Sequence, residues 1–141
     1  MGNRTLAIIK PDAMAARHQG KIIDHILQAG FKLLAARIVH LTKAQAEAFY
    51  LIHKGRPFFE ELTAFMSSGA VMPLVLEKEN AVDEFRTLIG ATNPADAAPG
   101  TIRREFATSL GENAIHGSDS DENAEKEVAF YFAAGDILSI L

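Results

Sequence analysis

Short apolar runs alternate along this chain with longer segments whose apolar residues recur at helical spacing, and this alternation narrows the choice of folds. The short runs predict strands over residues 5–10, 31–40 and 71–78. The amphipathic segments predict helices over 20–29, from Thr42 to about Leu51, over 58–65, after Asn80, and from Ser120 or Asp121 onward. Strands separated by single and paired helices favour a ferredoxin-like split βαβ sandwich over a barrel. We therefore predict the α/β (α+β) class, with an antiparallel sheet covered by helices.

Three local signals refine this prediction. Thr42 and Gln45 have the spacing of a capping box, and Asn80 is a candidate cap for the helix that follows it. Pro73 lies inside the third predicted strand, where its missing N–H favours a sheet edge or a bulge. Residues 90–100 hold glycines, prolines and many alanines, so we predict a long ordered loop there.

The composition limits the classes of protein that this chain can represent. Its 141 residues fit one domain, which we predict to span residues 1–141. Fourteen Lys and Arg against eighteen Asp and Glu give a net charge of −4, which argues against nucleic acid as the main partner. The absence of cysteine excludes disulfides, thiolate metal sites and a cysteine nucleophile. With no signal peptide and no apolar run near ~18 residues, we expect a soluble cytoplasmic protein without a membrane partner.

The segment 113–120 carries the clearest chemical signal. His116 lies there between Asn113 and two serines, and it is followed by a glycine that permits close approach. A neutral imidazole nitrogen, common near neutral pH, can attack an electrophile and carry it covalently. Ser118 is a nearby hydroxyl donor, and Glu127 is placed to orient the second ring nitrogen. His116 is therefore the first candidate nucleophile.

Two other chemistries fit the same residues. Ser118, His116 and Glu127 would form an acyl-transfer triad, although the chain has no Gly-x-Ser-x-Gly elbow to present the serine. His116, Asp119 and Asp121 would serve as metal ligands. The two aspartates are equally suited to the N-terminus of the predicted last helix. Both alternatives are open at this stage.

Phosphate binding, if present, must use side-chain cations. The chain has neither a Gly-x-x-x-x-Gly-Lys-Ser/Thr loop nor a Gly-x-Gly-x-x-Gly turn to cradle phosphates with backbone N–H groups. Arginine forks match phosphate oxygens, and Lys10 ends a predicted strand directly before a proline. The candidate cations are Lys10, Arg86, Arg103 and Arg104.

Several motifs, taken in order and spacing, match a known family over nearly the whole chain. They are Thr5-Leu6-Ala7-Ile8-Ile9-Lys10-Pro11-Asp12, Phe49-Tyr50, Arg56-Pro57-Phe58-Phe59, Gly90-Ala91-Thr92-Asn93-Pro94, Pro99-Gly100-Thr101-Ile102-Arg103 and the segment 113–120. On these residues the chain resembles the nucleoside diphosphate kinases. The departures, such as Ala70 after Ser68-Gly69 and Lys78 after the strand glutamate, lie outside the matched catalytic set.

The resemblance implies an activity and a set of site residues. The activity is transfer of the γ-phosphate of a nucleoside triphosphate, typically ATP, to a nucleoside diphosphate. It implies a ping-pong mechanism through a pros-phosphohistidine on His116, held by Ser118 and Glu127. The matched phosphate and sugar contacts are Lys10, Tyr50, Arg86, Thr92, Arg103 and Asn113. Phe58 and Leu110 match residues that enclose the base, and Leu62 matches another pocket-lining position.

The resemblance also implies a cofactor, a mode of assembly and a range of substrates. Mg²⁺ is expected on the nucleotide phosphates rather than in a protein cage, and the chain is expected to form a homo-oligomer. A base held by stacking is recognised poorly by its edges, so we predict broad base specificity. The rival hypothesis is a non-catalytic nucleotide-binding regulatory module, which would bind nucleotide without turnover and without labelling of the protein.

Overall fold

Four strands form one antiparallel sheet in the computed structural model, which describes residues 2–138. The strands are β1 (Arg4–Ile9), β2 (Lys32–Ala36), β3 (Met72–Glu77) and β4 (Ile115–Gly117), in the order β2-β3-β1-β4. The helices are α1 (Pro11–Ala15), α2 (Gln19–Gln28), α3 (Lys43–Phe49), α4 (Phe59–Met66), α5 (Ala81–Ile89), α6 (Ile102–Phe106) and α7 (Asp121–Tyr131). Three short 3₁₀ helices cover Leu51–His53, Pro94–Asp96 and Ala134–Asp136. The predicted ferredoxin-like split βαβ sandwich is confirmed.

The sheet separates two apolar clusters, and β1 contributes to both. Ala7 and Ile9 pack with buried residues of α2 and α5, whereas Leu6 and Ile8 pack with buried residues of α3, α4 and α7. This alternation follows from the period of two in a strand, which sends successive side chains to opposite faces. Strand β1 is therefore buried from Thr5 to Ile9, and Lys10, also buried, follows it directly.

Pro73 corrects one expectation from the sequence. It lies in β3, which pairs with both β1 and β2, so it is at neither a sheet edge nor a bulge. Its carbonyl accepts a hydrogen bond of 3.2 Å from Arg37 N, which means that its missing N–H also faces the segment after β2. The ladder is interrupted there, so β2 ends at Ala36 and only a bridge between Val39 and Val71 follows.

Capping chemistry sets several helix boundaries. The predicted capping box of Thr42 and Gln45 is present, and Ser120 caps α7 by accepting a hydrogen bond from Asn123 N. Asn80 occupies the predicted N-cap position of α5, but it has a φ of 55° and its side chain makes no capping hydrogen bond. The predicted loop 90–100 contains the 3₁₀ helix Pro94–Asp96. Within residues 2–138, no helix combines the length and the apolar character needed to cross a membrane.

Candidate functional site

A cleft of about 770 Å³ opens beside β4 and gathers most of the predicted site residues. Its lining includes the residue after β1, the end of α3 with the 3₁₀ helix that follows it, and residues of α5 and the loop after it, α6, β4 and α7. The predicted residues that line it are Lys10, Tyr50, Arg86, Thr92, Arg103, Asn113, His116 and Glu127. Positions distant in sequence therefore meet in one cavity, as a binding site requires.

His116 is the middle residue of β4 and pairs with Ile8 of β1. Its neighbours Ile115 and Gly117 are buried, whereas its own side chain is 18% exposed in the cleft wall. Gly117 has no room for a side chain, because a Cβ there would lie 2.9 Å from the Phe85 ring. Helix α5 therefore packs directly on the strand that carries the histidine, and the imidazole stands on a rigid element.

The imidazole is held through one of its two nitrogens. Nε2 lies 2.7 Å from Glu127 Oε1, and the same oxygen accepts a hydrogen bond of 2.8 Å from Ser118 Oγ. The buried Ser118 Oγ in turn accepts a hydrogen bond from Leu6 N, so the carboxylate is fixed by the sheet. A proton on Nε2 satisfies the carboxylate and leaves the lone pair on Nδ1, which has no hydrogen-bond partner within residues 2–138.

This arrangement decides between the chemistries left open by the sequence. Ser118 bonds to Glu127 rather than to the imidazole, so the histidine is not placed as the base of a serine nucleophile. Asp121 accepts a hydrogen bond of 2.8 Å from Gly2 N, whereas Asp119 lines the cleft and bonds to Asn123. Over residues 2–138, no three His, Asp or Glu side chains are grouped closely enough to hold a metal ion.

Two aromatic rings enclose the histidine. The Phe49 and Tyr50 rings meet the imidazole edge-on, at centroid distances of 5.6 and 6.2 Å. The Tyr50 hydroxyl is buried and has no hydrogen-bond partner among residues 2–138. Burial, and then the nearby Tyr131 and Glu127, hold the pKa of Tyr50 well above its usual value. The hydroxyl therefore keeps its proton and has an unused donor beside the cleft.

Two cations of the cleft, Lys10 and Arg103, are held by neutral groups. In the part of the chain that the structure describes, Lys10, Arg86 and Arg103 form no ion pair with a carboxylate. Lys10 Nζ instead donates to Asn113 Oδ1 at 2.8 Å, and Arg103 donates to the carbonyls of Gly90 and Ile115. Positive groups held by neutral acceptors leave their charge available to an anion.

Burial and mutual repulsion disfavour the charged forms of two of these groups. Burial, followed by the charge of Arg103, lowers the pKa of Lys10 to about 8, although Asp12 opposes the shift. Burial, followed by the charge of Arg86, lowers the pKa of Arg103 to about 10. A bound phosphate would relieve both effects, because an anion favours the protonated forms.

Lys10 is expected to make nucleotide binding depend on pH. ADP affinity should be nearly constant below pH 8 and fall by up to about tenfold per pH unit above it, because only the ammonium form attracts phosphate. The free energy of unfolding should rise over the same interval, up to the ordinary pKa of 10.5, because the unfolded chain retains the proton that the folded chain releases.

Calorimetric titration with ADP across this pH range measures the effect. Lys10→Met should weaken binding at low pH and flatten the dependence, whereas Lys21→Met, an exposed lysine of α2, should leave it unchanged. An ADP affinity that is constant through pH 8 and above would contradict the assignment of Lys10.

The predicted base-binding residues lie outside the lining of this cleft. Phe58 precedes α4, is 45% exposed, and has its ring 5.4 Å from the His53 ring, which does line the cleft. Leu110 is 58% exposed in the loop before β4. Leu62 is partly buried and packs against the cluster under α3, α4 and α7. Arg104, another candidate cation, donates to the Ala97 carbonyl instead of facing the cleft.

Several lining residues were not predicted. Asn123, Lys126 and Phe130 line the cleft together with Glu127, at the spacing of one face of α7. The 3.6-residue period from Glu127 would have found them. His53 also lines the cleft and stacks on Tyr50 at a centroid distance of 6.3 Å. Its position depends on the 3₁₀ turn after α3, for which the sequence has no periodic signal.

Comparisons with known proteins all match this chain to one family. The family model described as nucleoside diphosphate kinase matches residues 3–137. A nucleoside diphosphate kinase of Flavobacterium psychrophilum is 59% identical over 93% of this chain and 94% of its own length, and one of Chlorobium chlorochromatii is 55% identical over 96% of each. The solved Aquifex aeolicus nucleoside diphosphate kinase has a TM-score of 0.95 at 46% identity, covering 96% of this chain and 99% of its own. The halophilic Halobacterium salinarum nucleoside diphosphate kinase, solved in complex with CDP, has a TM-score of 0.94 at 34% identity, covering 100% of this chain and 94% of its own.

Proposed function

Because the chain belongs to the nucleoside diphosphate kinase family, and so transfers the γ-phosphate of a nucleoside triphosphate to a nucleoside diphosphate, we propose that His116 carries the phosphoryl group between them. The observation that supports this role is that only one of the two imidazole nitrogens has a hydrogen-bond partner within residues 2–138. Glu127 engages Nε2 at 2.7 Å, and Nδ1, the pros nitrogen, is left as the nucleophile. The reaction is then ping-pong, through a phosphohistidine.

In the first half-reaction, the Nδ1 lone pair attacks the γ-phosphorus of ATP while the bond from that phosphorus to the bridging oxygen breaks. ADP leaves with the electron pair, and the imidazole becomes positively charged. Glu127 stabilises this charge through the proton that Nε2 keeps, and Ser118 holds the carboxylate in place. In the second half-reaction, the terminal oxygen of a nucleoside diphosphate attacks the phosphohistidine, which returns the neutral imidazole.

The transferred group needs charge neutralisation more than covalent chemistry. Lys10, Arg86 and Arg103 supply positive charge from the cleft wall, and the Tyr50 hydroxyl supplies a free donor. We assign Thr92 and Asn113 to phosphate and sugar contacts, since Asn113 is fixed between Lys10 Nζ and the Thr92 carbonyl. These groups stand ready before nucleotide arrives, so little reorganisation accompanies the transfer.

Mg²⁺ is the metal that this family implies. The donors of the cleft are mainly cations, amides and hydroxyls, which suit phosphate oxygens, and within residues 2–138 no cluster of acidic or histidine side chains offers a metal cage. We propose that the ion is held by the nucleotide phosphates. When bound, it would offset the negative charge of those phosphates.

We assign the base to Phe58 and Leu110, with Leu62 behind them. Both Phe58 and Leu110 are exposed, as residues that receive a flat ligand must be. Stacking accepts every base because each has a π-face, so broad base specificity follows. A large preference in kcat/KM for one nucleoside diphosphate would contradict this assignment.

Glu127→Ala is expected to slow formation of the phosphohistidine without eliminating it. The loss should be roughly 10- to 100-fold, because the carboxylate orients the imidazole and stabilises its positive form but does not touch phosphorus. Rapid-quench measurement with γ-labelled ATP gives the rate. Glu125→Ala, an exposed glutamate on the same helix, is the matched control and should react normally. A Glu127→Ala chain that reacts at the unchanged rate would exclude the orienting role.

The experiment that tests the function uses the purified chain, Mg²⁺ and γ-labelled ATP, with no acceptor. We expect acid-labile, base-stable label that maps to His116 and is discharged by added GDP, CDP or UDP. A folded chain that binds ATP but takes up no label would favour the regulatory module instead.

We extend the proposal to the domain organisation, assembly, location and partners of the chain. Residues 1–141 are proposed to be one domain, because β1 contributes to both apolar clusters. A homo-oligomer is proposed, in keeping with the exposed apolar residues Leu27 of α2 and Ile38, just after the edge strand β2, which are 46% and 63% exposed. A cytoplasmic location, where nucleoside di- and triphosphates are exchanged, completes the proposal. Neither nucleic acid nor a membrane is expected as the main partner, given the net charge of −4.

A further inference from the structure

A strained turn lies directly before the strand that carries His116. Ala114 has a φ of 71°, a conformation that residues with a Cβ rarely adopt, and it is fully buried. Ile115 N donates to the Asn113 carbonyl at 2.8 Å, so residues 113–115 form a γ-turn with Ala114 at its centre. Turns of this hand are rare and persist only where the surrounding structure holds them.

Both polar backbone groups of Ala114 are held by the segment that follows β1. Its N–H donates to Asp12 Oδ2 at 3.0 Å, and its carbonyl accepts from Lys10 N at 2.8 Å. The second contact resembles ordinary strand pairing, but the first is made by a side chain 102 residues away along the chain. Asp12 lies in the first turn of α1, where an acidic side chain is favourable in any helix. That general preference does not explain why its carboxylate accepts a hydrogen bond from the backbone of Ala114.

The two residues that flank Ala114 are tied to the phosphate site. The Asn113 side chain accepts from Lys10 Nζ and donates to the Thr92 carbonyl, and the Ile115 carbonyl accepts from Arg103. The turn therefore fixes the orientation of Asn113, one proposed nucleotide contact. It also fixes the position of the Ile115 carbonyl, which holds Arg103, another proposed contact. If Ala114 relaxed to a negative φ, both would move relative to His116.

We propose that Asp12 is a positioning residue for phosphoryl transfer, whose carboxylate holds Ala114 in the strained turn and thereby places Asn113 and Arg103 in the cleft. The inference rests on the proposed role of His116. The role proposed here passes through the backbone of Ala114; the separate effect of the Asp12 charge on the nearby Lys10 is tested below by Asp12→Asn. It lies outside the cleft lining and would be missed by a search for residues that contact nucleotide.

The test compares Asp12→Ala with the same change made together with Ala114→Gly. Asp12→Ala is expected to lower kcat/KM and the rate of His116 labelling by roughly 100-fold, because small displacements of positioned groups are costly. Glycine adopts a positive φ without strain, so the double variant should recover at least about tenfold of that loss. A general structural role of Asp12 predicts no such recovery. Ala114→Gly alone is the reference for the double variant.

Two further variants separate the hydrogen bond from other effects. Asp12→Asn keeps an acceptor for Ala114 N and should stay within about fivefold of the unchanged chain. Equal losses in Asp12→Asn and Asp12→Ala would assign the effect to charge and overturn the proposal. Asp83→Ala, an exposed aspartate in the first turn of α5, is the matched control and should react normally.

The outcomes distinguish this inference from the function on which it rests. If the unchanged chain takes up no label on His116, both fall together. If it labels normally and Asp12→Ala labels at the same rate, or if the loss is not recovered by Ala114→Gly, only the role of Asp12 is overturned. Should Asp12→Ala fail to fold, the double variant decides: a folded, labelled chain supports the proposal, and an unfolded one overturns it.

Discussion

His116→Ala is expected to eliminate the phosphohistidine and to reduce nucleoside diphosphate kinase activity by roughly 10⁴-fold or more, because the side chain proposed to form the covalent bond is absent. The fold should survive the change. The imidazole lies in the cleft wall at 18% exposure, the backbone pairing of β4 with β1 does not involve it, and Glu127 retains the hydrogen bond from Ser118.

Labelling with γ-labelled ATP and a coupled assay with GDP as acceptor measure the two losses, and circular dichroism confirms the fold. His40→Ala serves as the control, since His40 is exposed and bonds to the Ser67 carbonyl outside the cleft. A His116→Ala chain that still transfers phosphate at the original rate would end the covalent mechanism.

Arg103→Ala is expected to have the second largest effect, and it should reduce both activity and stability. In the described part of the chain, the buried Arg103 Nε group has no hydrogen-bond partner, while the two terminal nitrogens donate to the Gly90 and Ile115 carbonyls. If Arg103 contacts the transferred phosphate as proposed, loss of this positioned cation should lower kcat/KM by roughly 10²- to 10³-fold. Two carbonyls would also lose a donor, which should lower the free energy of unfolding by roughly 2 to 4 kcal/mol.

Arg103→Lys separates these two contributions. Lysine keeps the charge but not the fork that reaches two carbonyls, so part of the activity should return while most of the stability loss stays. Urea denaturation gives the free energy of unfolding, and steady-state kinetics with ATP and GDP give kcat/KM. Arg104→Ala is the neighbouring control, because Arg104 is exposed and donates to the Ala97 carbonyl away from the cleft. Equal effects of Arg103→Ala and Arg104→Ala would contradict the special position of Arg103.

The long periodic segments were predictable, and the short ones were not. Strands β1 and β3 and helices α2, α4 and α7 follow the apolar pattern, because burial on one face of a regular element repeats in the sequence. Strand β4 has three residues, and helices α1 and α6 have five each, which is too few for a period to appear. Pro73 misled the prediction because the sequence does not reveal where a neighbouring strand ends.

The site was predictable in its chemistry and less so in its geometry. The setting of His116 and the strand end at Lys10 were visible in the sequence, and the resemblance to a known family added most of the remaining residues. That Glu127 engages Nε2 rather than Nδ1 depends on how α7 packs against β1, the neighbour of β4 in the sheet, which local patterns do not encode. The turn at Ala114 was also hidden, because alanine is an unusual residue at a positive φ.

Gly117 helps to set the distance between His116 on β4 and Arg86 on α5. A Cβ at this position would lie within 2.9 Å of Phe85, the residue directly before Arg86 on α5. Any larger residue would therefore push α5 away from β4 and carry Arg86 away from His116. The absence of a side chain at Gly117 thus sets the distance between α5 and β4. We expect substitutions at Gly117 to reduce activity as much as substitutions at the residues proposed to contact nucleotide.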